Sequence, residues 1–78
     1  MNDYEFEKHK YSDYNIKEEI QEDGRLKLTL TKNNIRREIE FLNYALHGVY
    51  KYFVDDELII IDEYQDGENH GILKEIEK

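Results

Sequence analysis

Apolar residues recur at every second position on both sides of two turn sequences, and both turns place those residues on the same face. Tyr14, Ile16 and Ile20 precede Glu22-Asp23-Gly24, and Leu26, Leu28 and Leu30 follow it. Period-2 alternation around a Gly-containing turn is the mark of a β-hairpin. A two-residue Asp23-Gly24 loop would pair Ile20 with Lys27 and divide the apolar faces. A three-residue loop with Gly24 in the left-handed conformation pairs Ile20 with Leu26 and Ile16 with Leu30, which unites them. The next turn, Asn33-Asn34, uses two residues that tolerate positive φ. A two-residue loop there pairs Leu28 with Ile39 and Leu26 with Phe41. The opposite face then sets Lys27 beside Glu19 and Glu40. The pattern specifies a half-buried antiparallel meander with strands at about 14–21, 25–32 and 35–41.

Beyond Phe41 two periods compete. Ile35, Ile39, Leu42, Leu46, Val49 and Phe53 are spaced 4-3-4-3-4, with Arg36, Glu40, Asn43, His47 and Lys51 on the other side. That spacing predicts a helix over about 43–54 with Asn43 near its N-cap. Gly48 would cost such a helix about 1 kcal/mol relative to Ala. The all-β alternative turns at His47-Gly48 and Asp55-Asp56 and makes Val49–Val54 a strand. Leu58-Ile59-Ile60-Ile61 reads as the most buried strand, covered on both faces. Asp66-Gly67 and His70-Gly71 bound a loop, and Ile72–Glu77 is expected as a short strand or helical turn. Residues 1–13, with Tyr4, Phe6 and Tyr11 at irregular spacing, are expected as a loose arm or edge strand. No internal repeat stands out. The fold class expected is α+β: one domain over 1–78, a three-stranded antiparallel meander followed by one helix and one or two C-terminal strands. An all-β meander or barrel is the alternative.

Burial is scarce at this size, so the large apolar residues all count towards the core. Among the 78 residues are seven Tyr and three Phe, no Cys and no Pro. Neither disulfides nor thiolate metal sites can staple the fold, and docking on a partner or a second copy could add burial. No apolar run is long enough to span a membrane, and the N-terminal residues do not resemble a signal peptide. A cytoplasmic location is expected. Abundant Lys, Asn and Ile beside a single alanine, Ala45, suggest an AT-rich genome, as in low-GC bacteria and their phages, plasmids or other mobile elements.

Charge says more about partners. The net charge is −8, unevenly spread. Between Tyr52 and Gly71 lie Asp55, Asp56, Glu57, Asp62, Glu63, Asp66 and Glu68, with no Lys or Arg. From Arg25 to Arg37 run five cations and no acid. On the meander, Arg25, Lys27 and Arg36 fall on the solvent face, where Glu19, Glu38 and Glu40 can offset them. The surplus repels nucleic acid and anionic membrane and attracts basic protein surfaces.

Motifs for chemistry are weak. Asp62, Asp66 and Gly67 fit positions of a calcium loop, but Tyr64 and Leu73 stand where two ligands belong. His9, His47 and His70 lack zinc-ligand spacing. Ser12 is the sole serine, and no phosphate-binding glycine loop occurs. An enzyme is not expected, and neither catalytic, metal nor cofactor residues are assigned.

Tyr44, Tyr50, Tyr52 and Tyr64 lie beside the acidic stretch, and tyrosine serves interfaces as readily as small cores. The expected function is therefore a small acidic, non-enzymatic protein-binding module. It would mimic nucleic-acid phosphates to inhibit a host DNA- or RNA-binding protein, through Asp55, Asp56, Glu57, Asp62, Glu63, Tyr64, Asp66 and Glu68. The alternatives are an immunity protein or antitoxin facing a basic toxin, and a self-associating accessory protein, with a homodimer formed through an open strand edge.

Overall fold

The computed structural model describes residues 1–75, with side chains as far as Gly71. A short helix, α1 (Asp3–Lys10), precedes six strands: β1 (Asn15–Ile20), β2 (Leu26–Lys32), β3 (Ile35–Leu42), β4 (Ala45–Val54), β5 (Glu57–Gln65) and β6 (Glu68–Glu75). The strands form one antiparallel sheet in sequence order, so each is joined to the next by a hairpin. Both registers derived from the turns hold: Ile20 pairs with Leu26, Ile16 with Leu30, Leu28 with Ile39 and Leu26 with Phe41. Gly24 has φ +88°, and the Gln21 N–H donates to the Arg25 carbonyl to close a three-residue loop.

The core lies between α1 and the middle of the sheet. Leu28, Leu30, Ile39 and Phe41 are fully buried, and Tyr4 of α1 meets Phe41 edge-on at 5.1 Å. Leu26, Leu46, Tyr11, Tyr14 and Tyr50 pack around them. Ile16 and Ile20 share that face but stand 37 % and 79 % exposed, because edge strand β1 lies beyond the helix. The other face is roofed by its own charged side chains. Arg25 pairs with Glu40, Lys27 with Glu38, and Arg36 with Glu38, while the Arg36 guanidinium lies 4.0 Å over the Phe53 ring.

The structure is mostly sheet, and several expectations are corrected. The expected 43–54 helix is β4, entered by a turn with Asn43 and Tyr44 at φ 51° and 65°. Its apolar residues sit on both faces, Leu46 towards α1 and Phe53 away, and that double series imitates helical spacing. Consequently Val49 and Phe53 do not pack on the meander core as a helix would have placed them. His47-Gly48 is not a turn: Gly48, at φ +107°, sits inside β4 where the register with β3 shifts. Residues 3–10 are helix, not arm or edge strand. Leu58–Ile61 are half-buried, because among the described residues the sheet is a single layer with a helix on one side only. The segment from Ile72 is strand β6 as far as Glu75, and the rest of the expected 72–77 element lies outside the described residues.

A repeat also emerges. Asn43-Tyr44-Ala45-Leu46-His47-Gly48-Val49-Tyr50-Lys51 aligns with Asp66-Gly67-Glu68-Asn69-His70-Gly71-Ile72-Leu73-Lys74. Each block opens on a turn with two positive φ values and carries a positive-φ glycine inside the strand. Only the His-Gly and Lys positions are identical, so the likeness lies in backbone shape more than in sequence.

Candidate functional site: a tyrosine-lined cleft beneath the helix

Helix α1 is seated by its first turn. Asn2 Oδ1 accepts the Glu5 N–H at 2.8 Å, Asp3 Oδ2 accepts the Leu46 N–H at 2.9 Å, and the Tyr4 N–H donates to the Tyr44 carbonyl at 3.0 Å. Asp3 and Glu5 begin the helix and Lys8, His9 and Lys10 end it, in the sense that the helix dipole favours. Lys8 reaches edge strand β1, pairing with Glu18 at 2.6 Å. This docking turns one stripe, Tyr4, Glu7 and Tyr11, onto the sheet. Tyr4 fills the core, and burial together with its Glu18 contact lifts its hydroxyl pKa to about 12.

Between the end of α1 and β3–β5 opens a cleft of about 370 Å³. Arg37 enters it from β3, Tyr50 and Tyr52 from β4, and Ile60, Asp62 and Tyr64 from β5; Glu7, Lys10 and Tyr11 close the helix side. The Arg37 guanidinium lies 4.7 Å from the Tyr11 ring and 4.6 Å from the Tyr52 ring, and it donates to the Tyr50 hydroxyl at 3.3 Å. The Tyr50 hydroxyl donates in turn to that of Tyr11 at 3.4 Å. Tyr50 and Tyr64 face each other with ring centres 6.2 Å apart.

Glu7 Oε2, Arg37 Nε and Asp62 Oδ1 are buried without hydrogen-bond partners, and all three belong to this cleft. Such an orphan costs about 1–3 kcal/mol. Three on residues that line one cleft of a marginal domain is an arrangement that stability alone does not select.

The titration shifts agree with this geometry. Burial raises the Glu7 pKa, and nearby Lys10 and Arg37 only partly oppose it. Burial, then the hydrogen bond with Tyr11, raises that of Tyr50. For Arg37 burial acts against the charge, but hydrogen bonds to Tyr14 and Tyr50 outweigh it and the pKa rises.

A prediction follows for Glu7. A carboxyl whose folded pKa lies above its unfolded value stabilises below about pH 4.5, and that contribution fades as pH rises through the folded pKa. Glu7→Gln should therefore raise the thermal midpoint at pH 7 and change it little at pH 4, as checked by melting curves at both. A midpoint lowered at pH 7 would mean that the carboxylate is compensated after all.

The acidic residues singled out in the sequence are dispersed along β5, the turns at its two ends and the start of β6. Asp55 and Asp56 form the β4–β5 turn, Asp56 pairs with Arg36 at 2.7 Å, and Glu57 opens the strand. Asp66 and Glu68 lie at the other end, where Asp66 Oδ1 is 3.7 Å from His47 Nδ1. Nine residues of strand separate the two groups by roughly 30 Å. Asp62 and Tyr64 turn into the cleft, and Glu63 lies on the opposite face. Glu7, Tyr11 and Arg37 were not singled out as site residues. Arg37 carried a visible signal, being a cation in the apolar series Ile35, Ile39 and Phe41.

Comparison of the chain with protein-family models, with curated proteins and with solved structures finds no match. No helix among the described residues is long and apolar enough to cross a membrane.

Proposed function

We propose that the protein is a non-enzymatic binding module that docks the β5 hairpins on a basic protein surface. The observation that carries this reading is the division of charge. Lys8, Lys17, Arg25, Lys27, Lys32 and Arg36 each have a carboxylate partner within the chain. Asp55, Glu63, Asp66 and Glu68 stand exposed on β5, its turns and the first residue of β6, a stretch without Lys or Arg. Two of these sit on tight turns with positive φ at Asp55 and Asp66, which present carboxylates at little entropic cost. A nucleic-acid-binding protein is the partner that charge recommends, because carboxylates on a fixed strand can replace phosphates at Lys and Arg contacts. The two carboxylate groups at opposite ends of β5 suit a partner with two basic patches better than one continuous phosphate track. A basic toxin would offer similar patches.

The test is amide substitution, since Asn keeps the tolerance for positive φ that Lys would lose. Asp55→Asn, Glu63→Gln, Asp66→Asn and Glu68→Gln together should leave the melting curve nearly unchanged. Association with a partner captured from the source cells should slow about tenfold or more at low salt, with the difference vanishing near 0.5 M. Binding indifferent to both salt and substitution would sink the proposal. The identity of the captured protein separates inhibition of a nucleic-acid-binding enzyme from neutralisation of a toxin.

A further inference from the structure

We propose that the cleft beneath α1 is a binding site for a small zwitterion, of the class of free α-amino acids with a flat or apolar side chain. The three orphaned atoms define what a ligand must offer. Glu7 Oε2 and Asp62 Oδ1 are acceptors, and Arg37 Nε is a donor. An ammonium group between the carboxylates, with a carboxylate of the ligand towards Arg37, offers each of the three the partner it lacks, reached by a small turn of the side chains that now close these atoms off from the cleft. A simple cation would leave the Arg37 donor unmet, and a simple anion would leave two buried carboxylate oxygens unmet.

The charge around the cleft points the same way. Glu7 and Asp62 are balanced by Arg37 and by Lys10 at the rim. A ligand carrying one charge of each sign therefore adds no surplus, whereas the outer faces of β5 carry net negative charge. Glu7 is 7 % exposed, so its carboxylate is held in a low-dielectric setting where a charge-assisted hydrogen bond counts most. Arg37 is fixed in advance, held over the rings of Tyr11 and Tyr52 and tied to the Tyr50 hydroxyl, so little order is lost when a ligand arrives. Tyr50, Tyr64 and Ile60 supply the wall on which a flat or apolar side chain would lie. A space of about 370 Å³ is at the small end of ligand pockets and large enough for an amino acid. This site uses the cleft face of β5, whereas the protein docking proposed above uses its turns and outer face, so either can fail without the other.

End-blocked probes test the assignment directly. In an NMR titration of the full chain, L-phenylalanine should shift the amide signals around Tyr50, Asp62 and Tyr64. N-acetyl-L-phenylalanine, which lacks the ammonium, and L-phenylalaninamide, which lacks the carboxylate, should each bind about tenfold more weakly or worse. Asp62→Asn should weaken L-phenylalanine binding while leaving the remaining signals in place. If that variant fails to fold, the end-blocked probes still decide. No shift with L-phenylalanine up to about 10 mM, a concentration at which even millimolar affinity would register, overturns the proposal. Equal binding of all three compounds also overturns it, by showing an apolar cleft without charge readout. L-phenylalaninamide binding as tightly as L-phenylalanine overturns it in favour of a plain cation site.

Discussion

Phe41→Ala should abolish the cooperative unfolding transition at 25 °C, leaving a chain whose circular dichroism falls smoothly with temperature. Phe41 is fully buried in β3, opposite Leu26 on one side and Leu46 on the other, with Tyr4 edge-on above it. It is therefore where the helix and three strands meet. Removing such a ring costs about 3–5 kcal/mol, through lost burial and the cavity left behind. Domains have only about 5–15 kcal/mol in total, and one of this size with no disulfide belongs at the lower end. Leu28→Ala, also fully buried, should cost about 2–5 kcal/mol by the same reasoning. Ile60→Ala is the control: Ile60 is half-buried on β5, so its truncation should cost less than about 2 kcal/mol and leave a clear transition. If Phe41→Ala melts within a few degrees of the parent, the core is not where α1 meets β2–β4.

Why the meander was legible and the helix was not comes down to what each element needs. In a hairpin one integer, the loop length, sets the parity of every pair, and only one choice at Gly24 and one at Asn33-Asn34 kept the leucines with Ile39 and Phe41. Helix α1 has no such redundancy. Its inward stripe is Tyr4, Glu7 and Tyr11, and the charged middle member breaks the apolar pattern by which an amphipathic helix is recognised. The same residue belongs to the cleft, so the feature that hid the helix is the feature that makes the site. Its start was readable: Asn2 before Asp3 and Glu5, with Lys8, His9 and Lys10 closing the turn, is a capped helix of matching polarity. The cleft as a whole could not be read, because it assembles side chains of α1, β3, β4 and β5 through a sheet order that spacing alone did not reveal. β4 misled for a third reason. A strand with apolar residues on both faces, interrupted by an irregularity at Gly48, mixes two period-2 series into an apparent period near 3.6.

That irregularity gives the second large effect. Gly48→Ala should destabilise the protein by about 2–4 kcal/mol, whereas Gly71→Ala, at the equivalent place in the repeat, should cost only about 1 kcal/mol. Both glycines have left-handed φ values, +107° and +113°, so both substitutions meet the same backbone strain. They differ in what a new Cβ would touch. At Gly71 nothing among the described residues lies within 4 Å; at Gly48 the Cβ would stand 2.5 Å from Glu40 Oε1, 3.0 Å from Arg25 Nη1 and 3.2 Å from Glu40 Cβ. Glu40 Oε1 is not idle, because it accepts the Val49 N–H at 3.0 Å and lies 3.8 Å from Arg25. Its side chain thus fills the gap in the β3–β4 ladder that the register shift opens. Pushing the carboxylate aside would leave the Val49 donor unmet and loosen the ion pair, adding about 1–3 kcal/mol to the strain. The contribution of Glu40 can be separated with a double variant. Glu40→Ala alone should cost about 1–2 kcal/mol, and Gly48→Ala added to it should cost clearly less than in the parent, though more than Gly71→Ala does, because the Cβ of residue 40 stays 3.2 Å away. Urea melts of the four variants measure this. Equal costs for Gly48→Ala and Gly71→Ala in the parent would show that φ alone dictates glycine at both places and that Glu40 yields freely.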